Sequence, residues 1–161
     1  MLFSNQIRDS MNPMPFAKKT KATGGHAPKF YASIRLEISK IKVLKPERTV
    51  HGKKHKEAIG VHSVVDVVKN SVDKGYRSAD IYIMNDYGID DVRANLIYIK
   101  QNSKHGLFSI DGIEKLGSSV DDAIQAVESM GLERKLRRAV IHLWGEIQEA
   151  FKQERTQKVR W

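Results

Sequence analysis

Asn5-Gln6-Ile7-Arg8, then residues 9–23, then Gly24-Gly25-His26-Ala27-Pro28-Lys29-Phe30-Tyr31-Ala32-Ser33-Ile34-Arg35-Leu36-Glu37-Ile38, is the stretch on which the fold of this chain turns. Its opening, Met1 to Ile7, reads as a short buried strand with the polar amide of Gln6 near its end. Such a strand needs neighbours, either later strands of this chain or a separate polypeptide. Residues 8–25 follow as a loop, because Pro13 and Pro15 block regular structure and Lys18, Lys19 and Lys21 repel one another. Loops this long inside compact domains are usually functional or disordered. A short helix is expected from His26 to Ser33, with Pro28 tolerated in its first turn. Ile34, Leu36, Ile38 and Ile41 then alternate with Arg35, Glu37 and Ser39 as a strand with one irregularity.

Working outward, Lys45 to Lys56 reads as a polar, strongly basic connection. Ile59 to Val68 and Ala79 to Met84 are β-branched and apolar enough to be two more strands, separated by the turn material Asp73-Lys74-Gly75. The first half is thus a sheet with one helix, the edge of a larger sheet. At about Gly88 the character changes. Asp90 to Gln101 is expected to be helical with Val92, Leu96 and Ile99 on one side, and His105 to Leu116 to form a hairpin turning at Asp111-Gly112. Ser119 with Asp122 makes a capping box for a helix from Val120 to Met130, buried through Val120, Ile124 and Val127 and ended by Gly131. Leu136, Val140, Leu143, Ile147 and Phe151 form the buried stripe of a longer helix, with Trp144 assigned to the core. The reading is an α/β chain in two parts, residues 1–89 and 90–161.

Composition narrows the function. Hydrophobic residues make up 40% and charged residues 29% of the 161, an ordinary soluble balance. No apolar run approaches the ~20 residues of a membrane span, and Met1-Leu2-Phe3 is too short for a secretory segment, so a cytoplasmic location and no membrane partner are expected. The absence of cysteine excludes disulfides and thiolate metal sites. An excess of 28 Lys+Arg over 19 Asp+Glu, net +9, favours a polyanionic partner.

The loop composition sharpens that partner. Arg8, Lys18, Lys19 and Lys21 can neutralise phosphates, while Met11, Met14 and Phe16 offer apolar and stacking surface to bases, the combination used to bind single strands. A solvated surface loop with no ligand stays open on these residues alone. Arg134, Lys135, Arg137 and Arg138 crowd a helix start against its dipole, which points to a role outside helix stability, such as facing duplex DNA.

The order Asn-Gln-Ile-Arg, a loop of this length, Gly-Gly and Lys-Phe-Tyr-Ala-Ser followed by a strand resembles the second DNA-binding loop of the RecA and phage UvsX homologous recombinases. Gly106-Leu107-Phe108-Ser109-Ile110-Asp111-Gly112-Ile113-Glu114-Lys115-Leu116-Gly117 more loosely resembles their C-terminal domain. The resemblance implies a partial RecA-like core, a mixed sheet edge with a helix and a long DNA-binding loop at 8–25, followed by a small α+β domain. It implies single-stranded DNA binding, filament assembly and strand exchange in DNA recombination and repair. By the same resemblance, Arg8, Met11, Phe16, Thr23, Gly24 and Gly25 match positions near the DNA, beside Lys18, Lys19 and Lys21, which the loop's composition assigns to phosphates. Gln6 senses the terminal phosphate of ATP, Lys29 and Phe30 pack between neighbouring protomers, and Lys69 contacts ATP across the filament interface, with Ser71 standing where a second lysine is found in the family.

A nucleotide is not expected on this chain alone. Gly112-Ile113-Glu114-Lys115-Leu116-Gly117-Ser118-Ser119 has the glycine spacing of a phosphate loop, but Ser118 replaces the required lysine, so it reads as a turn. No ATPase is therefore expected without an upstream nucleotide-binding half, which would bring ATP and magnesium. That half, or neighbouring protomers in a helical filament, is an expected partner beside single-stranded DNA and, second, duplex DNA. The alternative is a free-standing DNA-binding or filament-regulating module. His51, His55 and His62 lack companion ligands at metal-site spacing, and no metal and no catalytic residue is expected.

Overall fold

The computed structural model describes residues 2–9, 20–22, 30–104, 108–110 and 116–152, and for Ile7, Asp9 and residues 20–22 the backbone only. The chain is a mixed α/β structure that packs as two units, Met1–Ile38 with Val65–Ser78, and Ser39–Val64 with Ala79–Trp161.

In the first unit, β1 (Ile7–Asp9) pairs antiparallel with β2 (Thr20–Ala22), in the register Ile7↔Ala22, Arg8↔Lys21, Asp9↔Thr20. The buried strand expected from Met1 to Ile7 is not what forms. Residues 2–6 carry no regular structure, Leu2 and Phe3 are 99% and 70% exposed, and pairing begins only at Ile7. The base of the expected loop is accordingly a β-ribbon. The helix expected at 26–33 falls largely outside the described residues.

Strands β3 (Ile34–Leu44), β6 (Gly60–Asn70), β7 (Ser78–Met84) and β8 (Gly88–Ile89) form one sheet in the order β3-β6-β7-β8, with β7 and β8 antiparallel. β3 is an edge strand. Its expected alternation is present but inverted in exposure: Arg35 and Glu37 are half-buried, while Ile34, Leu36 and Ile38 are exposed because no described residue covers that face. The turn between β6 and β7 is tied by Asn70, whose Oδ1 accepts from the Val72 and Asp73 N–H groups at 3.0 and 3.1 Å. Such side-chain mimicry of a backbone turn is what Asn supplies best.

In the second unit, the basic connection expected at Lys45 to Lys56 is a hairpin, β4 (Glu47–Val50) paired antiparallel with β5 (Lys53–Lys56). His51 and Gly52 between them have φ of 50° and 75°, the left-handed pair of a two-residue hairpin turn. Three helices follow: α1 (Asp91–Asn102), α2 (Val120–Ser129) and α3 (Glu133–Ala150). Their core is Val92, Leu96, Ile99, Phe108, Ile110, Leu116, Ala123, Val127 and Leu136, with Val120, Ile124, Val140 and Leu143 packed against it. Phe151 departs from the expected stripe. It caps the C-terminus of α3, 77% exposed, where the helix has run past its packing partners. Trp144, at 41% exposure, is likewise no core residue. The hairpin expected to turn at Asp111-Gly112 lies mostly outside the described residues, though the Leu116 N–H does donate to the Phe108 carbonyl at 2.8 Å.

Candidate nucleic-acid interface

In the β1/β2 ribbon Arg8 and Lys21 are direct cross-strand partners, and Arg8 is exposed. Like charges directly opposite on a ribbon destabilise it, and a bound anion removes that repulsion. Gln6 is exposed immediately before β1. Met11, Phe16, Lys18, Lys19, Thr23, Gly24, Gly25 and Lys29 lie outside the described residues, as does the side chain of Lys21.

Phe30 is 74% exposed, which removes it from any core of this chain and leaves its ring available to a neighbour. Its carbonyl accepts from the Lys69 ammonium at 2.8 Å. The adjacent Ser71 N–H donates to the Ser33 carbonyl at 2.9 Å, so the end of β6 is pinned to the segment that precedes β3. Two expected functional residues, Lys69 and Phe30, are therefore brought together through a main-chain oxygen. In the turn between β6 and β7, Asp73 pairs with Arg77 at 2.9 Å.

The phosphate-loop-like segment offers no phosphate site where it is described. Ser118 donates its hydroxyl to the Asp122 carboxylate at 2.9 Å, the Ser119 N–H donates to the same carboxylate at 3.1 Å, and the Asp122 N–H donates to the Ser119 hydroxyl at 3.1 Å. The first turn of α2 carries Asp121 and Asp122, so the local charge is negative.

Sequence reasoning overlooked three features. One is the β4/β5 hairpin, whose signal was the Val50-His51-Gly52-Lys53 run, with glycine at a turn position that demands positive φ. A second is His62, stacked on Tyr82 with ring centroids 4.5 Å apart and planes 4° from parallel, its Nε2 2.6 Å from Asp80. Packed in this way on β6, it is apart in role from the turn residue His51, and among the described residues no group of three ligands could hold a metal. The third is Arg93, which binds Asp90 Oδ2 at 2.9 Å and Asp121 Oδ1 at 2.8 Å, tying the start of α1 to the start of α2. Burial works against its charge, but the hydrogen bonds it donates to Asp121 and Asp90 outweigh that and hold the guanidinium above its ordinary value.

Comparison with known proteins bears on these features. The family described as the RecA N-terminal domain matches residues 1–90. Protein RecA of Roseiflexus sp. (strain RS-1) is 33% identical over 147 residues, covering 87% of this chain and 38% of that protein. Protein RecA of Acholeplasma laidlawii (strain PG-8A) is 34% identical over 149 residues, 84% of this chain and 41% of its own. Protein RecA of Desulfovibrio desulfuricans is 31% identical over 150 residues, 90% and 39% respectively. The chain spans about two-fifths of the length of these relatives.

Proposed function

The chain belongs to the RecA family, and on that premise we propose that it binds single-stranded DNA through residues 8–25 as part of a recombinase acting in DNA recombination and repair. The observation that carries this reading is the Arg8↔Lys21 pairing, which closes a loop holding two further lysines, Lys18 and Lys19, on a doubly cationic base. Met11 and Phe16 in the same loop supply stacking surface to unpaired bases. The exposed apolar residues of edge strand β3, Ile34, Leu36, Ile38 and Ile41, support a chain that works against further recombinase structure, whether a nucleotide-binding half or neighbouring protomers.

Filament contacts and strand exchange belong to the same proposal. Phe30, with its exposed ring, and Lys29 are the residues assigned to a neighbouring protomer. Gln6 and Lys69 are assigned to a nucleotide held on other residues. The Lys69 ammonium already donates to the Phe30 carbonyl, with further N–H donors for such a nucleotide. Among the described residues no helix is long and apolar enough to cross a membrane.

Salt dependence tests the loop. Each phosphate contact to a single strand contributes about 0.7 to the slope of log affinity against log salt, so Lys18→Ala, Lys19→Ala and Lys21→Ala together should flatten it by about 2. Affinity should fall across all sequences alike. An unchanged slope removes the loop from the interface.

A further inference from the structure

Helix α3 carries a second apolar band beside the one its core uses. Leu136, Val140 and Leu143 lie on the side that packs into the core. At about 100° per residue, Arg137, Ile141, Trp144 and Gln148 fall together in a band about 60° wide next to that side, and Phe151 continues it past the helix end. Ile141, Trp144 and Phe151 are 59%, 41% and 77% exposed. Single apolar residues on a surface need no account, but three in line along one helix mark a contact surface.

The charges of α3 say what fits there. Apart from Glu133, its N-terminal half is basic, with Arg134, Lys135, Arg137 and Arg138, and its C-terminal half carries Glu146 and Glu149. That order opposes the helix dipole, and the last turn has no basic residue to offset it. A second α3 lying antiparallel alongside reverses the conflict, because it sets an acidic half against a basic one and opposes the two dipoles. Arg134, Arg138 and Glu149 run along one flank of the apolar band, on the side away from the core. Among the described residues no ion pair involves Arg134 or Arg138, and Glu149 pairs at 2.9 Å with the exposed Lys152, a weak surface contact. An acid on the same flank as the two arginines, beside an apolar band, disfavours a polyanion on this face.

We propose that α3 pairs antiparallel with the α3 of a second copy of this chain, about a two-fold axis between Ile141 and Trp144, to form a closed dimer. The axis sets Ile141 on the partner's Trp144 and Trp144 on the partner's Ile141. A two-fold contact uses the same patch twice, so each flank meets its own counterpart. The partner's Glu149 then comes level with the gap between Arg134 and Arg138, and the arrangement repeats across the axis. A parallel pair would instead put Arg138 level with the partner's Arg138. This contact differs from a head-to-tail filament contact, which joins two different patches and does not close, and it does not rest on the DNA reading. One helix face about 27 Å long is at the small end of specific interfaces, so association in the micromolar range is expected.

Sedimentation of the full chain over micromolar concentrations, without nucleic acid, tests the pairing. Three variants at exposed positions accompany it, I141E, E149R and R134E/R138E, with circular dichroism checking that each stays folded. The parent should pass from one copy to two and stop there. I141E should raise the dissociation constant on the order of a hundredfold, since each dimer loses two buried isoleucines. E149R and R134E/R138E should each be monomeric alone, because like charges then face each other. Mixed in equal amounts they should dimerise, because every flank pair is again of opposite charge. A parent that stays monomeric overturns the proposal, as does a mixture that stays monomeric where the parent dimerises. Assembly that I141E leaves unchanged would place the contact elsewhere, such as on exposed β3, and overturn it. So would growth past two copies, the mark of a head-to-tail contact, and so would a monomeric parent whose duplex DNA binding falls in R134E/R138E.

Discussion

Asp122 shows how much a single side chain can settle. Its carboxylate accepts from the Ser118 hydroxyl and the Ser119 N–H while its own N–H donates to Ser119. Those hydrogen bonds, Ser118 first and then Ser119, hold the Asp122 carboxyl below its ordinary 3.8. Near that pH the unfolded chain binds more protons than the folded one, so stability rises with pH. The contribution is whole above 3.8 and is lost as the pH falls through the lower folded value. Glu47, through Lys54 and Lys56, and Asp73, through the Lys74 backbone, are depressed as well. The Asp122→Asn variant should therefore show a shallower acid limb than its parent when urea unfolding is followed from pH 6 downward; identical limbs would remove Asp122 from the balance. This capping box is legible in the sequence because both partners sit within one helical turn. The distant partner of Arg93 is not, since Asp121 reaches it from 28 positions away.

At the scale of elements, Gly60 at the start of β6 is decisive. A Cβ there would lie 2.5 Å from the Ile83 carbonyl oxygen and 2.9 Å from Met84 Sδ, so backbone of β7 would have to move. Gly60→Ala should destabilise the fold by about 1–3 kcal/mol, the usual range for overpacking. The check is the urea midpoint, and an unshifted midpoint contradicts the close approach. The long strands β3, β6 and β7 are readable from their β-branched residues, and α1 to α3 from apolar spacing that does bury Val92, Leu96, Ile99, Val127 and Leu136. The hairpin β4/β5 was hidden because its eight strand residues bury nothing. Hydrophobic patterning marks a strand only where one face leaves water. For the same reason the alternation in β3 locates the strand without telling which face is covered.

For the whole molecule, charge and burial are distributed unevenly. The helices enclose a core with Leu96, Val127 and Leu136 fully buried, whereas β3 leaves Ile34, Leu36, Ile38 and Ile41 in water and β4/β5 is exposed throughout. Composition announces the polyanion preference but not its address, because net charge carries no geometry. Under the proposed function the Arg8↔Lys21 pairing would be that address, and the ordered run from Asn5 to Ile38 was readable because its residues are contiguous. The most direct measurement is an amide NMR titration of the ¹⁵N-labelled full chain with a short oligothymidylate. Resonances of Arg8, Lys21 and the residues between them should move together and saturably with the added strand. Saturable shifts confined elsewhere, with Arg8 and Lys21 unmoved, would contradict the account.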